Sequence, residues 1–245
     1  MKIHAVLLCA ATLLAFQGAG ANAGFEKDTI ATTAGDLVIT FIGHGTLMMQ
    51  VGGKTIHIDP VSQYSDYDAL PKADVILITH HHGDHCDAAA IEKIQTAATT
   101  TILTAACAQK ITGGIVLANN AMRTIGDMTV SAVPAYNLKH GPAEGKVFHP
   151  KGEGNGYILA VGKTRVYVAG DTENTPEMKA LKNIDVAFLP MNLPYTMTPD
   201  MVADAARAFR PKILYPYHYG RTDVNTLLEL LKKDRAIEVR VRQLQ

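Results

Sequence analysis

Thr79-His80-His81-His82-Gly83-Asp84-His85 puts four of the chain's ten histidines and an aspartate into seven residues. It continues directly from Asp74 to Thr79, a nearly continuous apolar run that predicts a strand covered on both faces. In an extended segment alternate side chains point the same way, so His80 and His82 can present imidazoles to one metal ion while His81 faces elsewhere. Gly83 lets the backbone turn, and Asp84 and His85 then stand at the entrance of the next helix, placed to reach a second metal. Imidazole with carboxylate is a donor set for zinc or a similar borderline ion. A lone histidine is usually an ordinary polar side chain. Three imidazoles and a carboxylate at this spacing after a strand are not explained that way.

Outward from this stretch the pattern is strand-rich, with short helices interleaved. Strands are predicted over 37–42, 47–51, 54–58, 101–104, 128–134, 186–189 and 213–215, with Gly52-Gly53 as a hairpin signal between the second and third. A further hairpin spans 157–168 and turns at Gly162-Lys163, after a loop over 135–156 that contains glycine and proline. Helices are predicted over 88–96, 175–182, 199–209 and 223–233. There is also a weak internal repeat. Val51 to Asp59 resembles Val161 to Asp171, each a hairpin turn and strand ending in Asp, and about 15 residues further on Asp74 to His80 resembles Asp185 to Asn192. Two copies of a unit that cannot bury its own face predict two packed sheets with helices on the outside. No low-complexity linker divides the halves, so one domain of two lobes is expected over 24–245.

The 245 residues, 47% hydrophobic and 19% charged, suit one folded domain with a substantial core and exclude disorder. The 23 basic and 23 acidic side chains balance, which argues against a protein that neutralises phosphate backbones. At the N-terminus Lys2, the apolar run Ala5 to Phe16 and Ala21-Asn22-Ala23 read as a secretory signal peptide over 1–23. The run is too short to span ~30 Å of hydrocarbon, so no membrane anchor is expected after cleavage. Cleavage after Ala23 leaves 222 residues and, because Lys2 is lost, a net charge of −1. It predicts a periplasmic or secreted protein. It also leaves Cys86 and Cys107, which an oxidising compartment would allow to bridge if their α-carbons lie within reach.

The pattern His80-x-His82-x-Asp84-His85 resembles the signature of the metallo-β-lactamase superfamily. Supporting motifs are Gly43-His44-Gly45, Ile58-Asp59-Pro60, Gly170-Asp171-Thr172 and a final His218 after the strand at 213–215. The resemblance runs from Leu37 to about Gly220 and is strongest to small, undecorated metal-dependent hydrolases of the lactonase-like and phosphodiesterase-like kind. It implies an α+β fold, a four-layer αββα sandwich with two pseudo-symmetric lobes. It also implies up to two bound metals, zinc above all, with Mn2+ or Fe2+ as alternatives. Carried over position by position, the first metal falls to His80 and His82, the second to Asp84 and His85, Asp171 matches the bridging carboxylate, and His218 matches the last ligand of the second metal. The chain departs from the pattern at the first metal's third histidine. Relatives end the strand at 128–134 with that residue, whereas here Pro134-Ala135-Tyr136-Asn137 follows, and Asn137 is a poor zinc ligand. His149, nearer the strand that re-enters the sandwich and followed by Pro150, is favoured over His140 for the vacant role.

If both metals bind, they would polarise a scissile carbonyl or phosphoryl group and supply a hydroxide at neutral pH. Asp84 is expected to orient it and pass a proton to the leaving group. His44 and Tyr195 are candidates for contact with substrate or the developing oxyanion, set against plainer roles in the Gly43–Gly45 turn and in loop packing beside Pro194. Asp59 is expected to fix a ligating imidazole rather than bind metal, and His57, alternating with Ile56 and Ile58, is expected to be structural. The expected activity is hydrolysis of a small ester, lactone, amide or phosphodiester, with a small-molecule partner and no nucleic acid. A true β-lactamase and a metal-binding protein that lost the chemistry are competing readings, and redox chemistry at iron is a third, lowered by His82 where the di-iron flavoprotein relatives carry Glu. Retained Asp84 speaks against the second, because a structural zinc site needs no open position flanked by a carboxylate.

Overall fold

The computed structural model of the protein describes residues 24–244, so the expected signal segment lies outside the described residues. Strands β1 (Lys27–Thr32), β2 (Gly35–Gly43), β3 (Thr46–Val51), β4 (Lys54–Ile58), β5 (Val75–Leu77), β6 (Thr100–Leu103) and β7 (Ile115–Val116) form one seven-stranded sheet in that order. Strands β8 (Met122–Ile125), β9 (Met128–Ala135), β10 (Gly154–Val161), β11 (Thr164–Val168), β12 (Val186–Pro190), β13 (Ile213–Tyr217) and β14 (Glu238–Val239) form the second, also in chain order. The first four strands of each sheet pair antiparallel and the last four pair parallel. The weak repeat read in the sequence is therefore a repeat of whole topology, with β3-β4 matching β10-β11 and β5 matching β12.

The period of two along each strand decides which side chains face the second sheet. Leu37, Ile39 and Phe41 of β2, Leu47 and Met49 of β3, and Ile56 and Ile58 of β4 meet Tyr157 and Leu159 of β10, Val166 and Val168 of β11, Phe188 of β12 and Tyr215 of β13 in one buried cluster. Each such side chain contributes roughly 1.5–3 kcal/mol on leaving water. The opposite faces are covered by helices. Ile76 and Ile78 pack on Ala90, Ile91 and Ile94 of α1 (Ala88–Ile94). Tyr167, Ala187, Leu189 and Leu214 pack beneath α2 (Pro176–Lys179), α3 (Pro199–Phe209) and α4 (Val224–Leu231). This is the expected α+β sandwich, helix on sheet on sheet on helix.

The helices begin where a side chain can satisfy their first free N–H groups. Asp87, Thr175, Thr198 and Asp223 cap α1 to α4 in turn. α3 spans the residues expected of it, whereas α1, α2 and α4 are shorter than the sequence spans by a few residues at their ends. The edge strands β1, β7, β8 and β14 were not expected at all, because β1 reads Lys-Asp-Thr-Ile-Ala-Thr and β8 is exposed along most of its length. The first and last strand regions of the described residues meet: Arg242 binds Asp28 of β1 through Nε and Nη2 at 3.0 and 2.8 Å, and Arg240 and the Tyr215 hydroxyl reach the same carboxylate.

Candidate metal centre

Parallel strands leave their carboxyl ends together, and loops that leave from such an edge converge on a crevice. Here two such edges lie side by side. From the first sheet come His44 after β2, Asp59 after β4, and Thr79 to His85 after β5; from the second come Asp171 after β11, the 192–197 loop after β12, and His218 after β13. The sheets are joined at this end by the Tyr157 hydroxyl donating to Ile78 O at 2.8 Å and by Asn155 N donating to Thr79 O at 2.9 Å. Gly170 is needed at this seam, with φ of +65° and a would-be Cβ 2.9 Å from both Asn155 O and Thr79 Cβ.

Three groups of donor atoms share this crevice, each group within 4.8 Å: His80, His82 and His149; His80, His85 and Asp171; and His44, Asp84, His85 and His218. Asp171 lies between them with one oxygen turned each way. Its Oδ2 is 3.3 Å from His149 Nε2 and 3.9 Å from His80 Nε2, while Oδ1 is 3.5 Å from His85 Nε2 and 3.4 Å from His218 Nε2. Asp84 Oδ2 is 3.2 Å from His44 Nε2, 3.7 Å from His218 Nε2 and 3.9 Å from His85 Nε2. His80 Nε2, His85 Nε2, His218 Nε2 and Asp171 Oδ1 are buried with no hydrogen-bond partner. Leaving polar atoms buried and unpaired costs about 1–3 kcal/mol each, so four in one place fit bound cations that would take them as ligands, His80 on one side of Asp171 and His85 and His218 on the other.

The electrostatics agree with that fit. Burial, reinforced by neighbouring imidazoles, holds His80 well below its ordinary pKa, and His82 below it, in the neutral form that has a lone pair to give. Burial alone would raise both aspartates. The imidazoles around them win, His218 and His85 foremost for Asp171 and His218 and His44 for Asp84, and keep both carboxyls well below the usual range. Burial likewise opposes the cationic form of His85, but the Asp171 and Asp59 carboxylates push its pKa up to about 9.

Orientation is set from behind. Fully buried Asp59 lies 2.8 Å from His85 Nδ1 through Oδ2, and it accepts from Thr79 N and Oγ1 at 2.7 and 2.6 Å. The Thr79 hydroxyl spends its only proton on Asp59, so at 3.0 Å from His80 Nδ1 it can only accept. One carboxylate thus turns the Nε2 edges of two imidazoles to the crevice. Six non-glycine residues have positive φ among those described, and three of them are His44 (53°), Asp59 (46°) and His218 (46°). Such backbone costs of order 1–3 kcal/mol per residue and persists where surroundings over-determine it. His44 N donates to Leu244 O at 2.6 Å, and His218 N to His44 O at 3.1 Å.

The remaining expectations fall as follows. Of the two loop histidines, His149 lies at the crevice, whereas His140 turns its Nδ1 to Thr196 O at 2.6 Å and to Glu173. Tyr195 is about half exposed, its ring edge against Phe148 at 5.0 Å, and both line an open cleft of about 360 Å³ with His44, Asp84, Asn192 and His218. His57 faces away, its Nε2 on Pro71 O at 3.0 Å, and burial lowers its pKa to about 4. Cys86 and Cys107 are both buried free thiols. Three residues at the site went unnoticed or undervalued in the sequence: Thr79, Glu173 and Asn137, whose Oδ1 lies 2.5 Å from His149 Nδ1. Only Thr79, beside the histidine run, carried a local signal.

Comparison with known proteins agrees with this geometry. The family model described as a beta-lactamase superfamily domain matches residues 38–218. A UPF0173 metal-dependent hydrolase of Geobacillus thermodenitrificans is 35% identical over 193 residues, covering 74% of this chain and 85% of its own. A solved structure from Parabacteroides distasonis, assigned provisionally as a metal-dependent hydrolase, is 50% identical with a TM-score of 0.86 and covers 90% of this chain and 100% of its own. At 24% identity the metallo hydrolase Igni18 of Ignicoccus hospitalis shares the fold, with a TM-score of 0.70 over 85% of this chain and 95% of its own.

Proposed function

The chain belongs to the metallo-β-lactamase superfamily of metal-dependent hydrolases, and on that premise we propose that it is an exported, zinc-dependent hydrolase of a small ester, lactone, amide or phosphodiester. The observation that carries the reading is the set of bare, buried donors around Asp171, whose two oxygens face two different groups of imidazoles. His80, His82 and His149 would hold one cation, Asp84, His85 and His218 a second, and Asp171 would span them. Bound there, zinc would acidify a water molecule and polarise the scissile carbonyl or phosphoryl group.

The protein's own groups then divide the work. Asp84 has the most exposed carboxylate of the cluster, and its Oδ2 can accept the hydrogen bond of an attacking water and so aim its lone pair. His44 Nε2, 3.2 Å from that oxygen, is placed to relay a proton toward the leaving group. Phe148 and Tyr195 give the cleft an aromatic wall for the apolar part of a small substrate. Export rests on Lys2, the run Ala5 to Phe16 and Ala21-Asn22-Ala23, and a mature N-terminus at Gly24 is what N-terminal sequencing of the exported protein should read.

Elemental analysis after zinc reconstitution, joined to a panel of lactone, phosphodiester and β-lactam substrates, tests the proposal. About two zinc ions per chain are expected, with Asp84→Ala lowering kcat/KM by roughly 100-fold or more. Less than one metal per chain, or full activity in Asp84→Ala, would sink it.

A further inference from the structure

The third imidazole of the first donor group comes from a loop rather than from a strand end, and something must hold it there. Asn137 occupies the strand end instead. Its Oδ1 lies 2.5 Å from His149 Nδ1, and its Nδ2 lies 3.1 Å from Glu173 Oε1 and 2.8 Å from Tyr195 O. An amide can be turned either way, but this one has no choice. Tyr195 O is a carbonyl and can only accept. Glu173 is fully buried, and its two oxygens already receive the backbone N–H groups of Leu138 (3.1 Å), Lys139 (3.1 and 3.3 Å) and His140 (2.6 Å), while the nearby His140 Nδ1 must donate to Thr196 O, so both oxygens act as acceptors. Turning the amide over would set its oxygen against both acceptors. The NH2 group therefore faces Glu173 and Tyr195, and the oxygen faces His149. Only a proton on His149 Nδ1 completes that contact.

We propose that Asn137, its amide fixed by Glu173 and Tyr195 O, is a positioning residue that holds a proton on Nδ1 of His149 and turns Nε2 toward the crevice and Asp171 Oδ2. Asn137 does for His149 what Asp59 does for His85, with an amide in place of a carboxylate and with Glu173 as the anchor. The same amide ties the ligand histidine to the loop of Tyr195, so the metal-facing and substrate-facing sides of the cleft are set by one side chain. The consequence for metal affinity rests on the proposed metal site; the tautomer does not.

The test uses the mature protein with 15N-labelled histidine, stripped of metal, and reads each imidazole's tautomer from two-bond 1H–15N correlations. Zinc affinity is then measured by competition with a chelator. In the wild type His149 should carry its proton on Nδ1. In Asn137→Leu the proton should move toward Nε2 while His80 keeps its tautomer, and zinc affinity should fall roughly 10- to 100-fold. Glu173→Gln removes one of the two acceptors that hold the amide and leaves Tyr195 O, so it should loosen the amide and add a minor Nε2 tautomer beside the main one. A His149 protonated on Nε2 and not on Nδ1 in the wild type overturns the proposal without any variant, and so does an Asn137→Leu protein with tautomer and affinity unchanged. A wild type that takes up less than one zinc per chain while His149 is protonated on Nδ1 supports the positioning role of Asn137 and overturns the metal reading.

Discussion

Gly45 has no side chain, and the candidate site leaves no room for one. A Cβ there would lie 2.7 Å from His85 Cε1 and 3.3 Å from His218 Cδ2, closer than real contacts allow at the first. Gly45→Ala is therefore expected to push His85 and His218 aside and weaken zinc binding about tenfold or more while the fold persists, as read by chelator competition beside a circular dichroism spectrum. Unchanged affinity would show that His85 has room to move. At this scale, what the sequence made legible was whatever sits close along the chain. His80, His82, Asp84 and His85 are visible because strand periodicity and one glycine relate them. The part of Asn137 was invisible because its partners, His149 and Glu173, are 12 and 36 residues away and meet it only once β9, β10 and β11 are paired.

At the scale of elements, β4 carries a pH dependence unrelated to the site. His57 lies fully buried on its outer face, and burial lowers its pKa from 6.5 to about 4. Folding disfavours its cation. The stability it permits is complete above pH 6.5 and is lost as pH falls from 6.5 toward 4, by about 3 kcal/mol for a shift of that size. His57→Gln, which keeps a donor for Pro71 O, should lack that loss, so urea unfolding of the two proteins at pH 7, 5.5 and 4 should diverge as acid is added. Parallel pH curves would refute it. The central strands were readable because they are apolar on one or both faces. The edge strands were not, since β1 alternates only half-buried with exposed positions and takes its place from Arg242 and Arg240, more than 200 residues away.

At the scale of the molecule, each half brings donors that are insufficient alone. His80, His82, Asp84 and His85 belong to the first lobe, and His149, Asp171 and His218 to the second. A cation between them would cross-link the sheets, so its binding energy becomes folding energy. Free zinc at 100 times its Kd should add about 2.7 kcal/mol, and for a chain of this size raise Tm by roughly 5–10 °C. Thermal melts over a series of buffered zinc concentrations would measure it, and a midpoint indifferent to zinc would mean the donors do not close on a metal. The repeat that builds the two lobes is not carried through to their side chains. Each copy has an aspartate just beyond its fourth strand, Asp59 by one residue and Asp171 by three. Asp171 faces the crevice, whereas Asp59 stands behind His85 as a brace. Two equivalent halves would face each other across a twofold axis; this pair breaks that symmetry, so the crevice has two unlike sides.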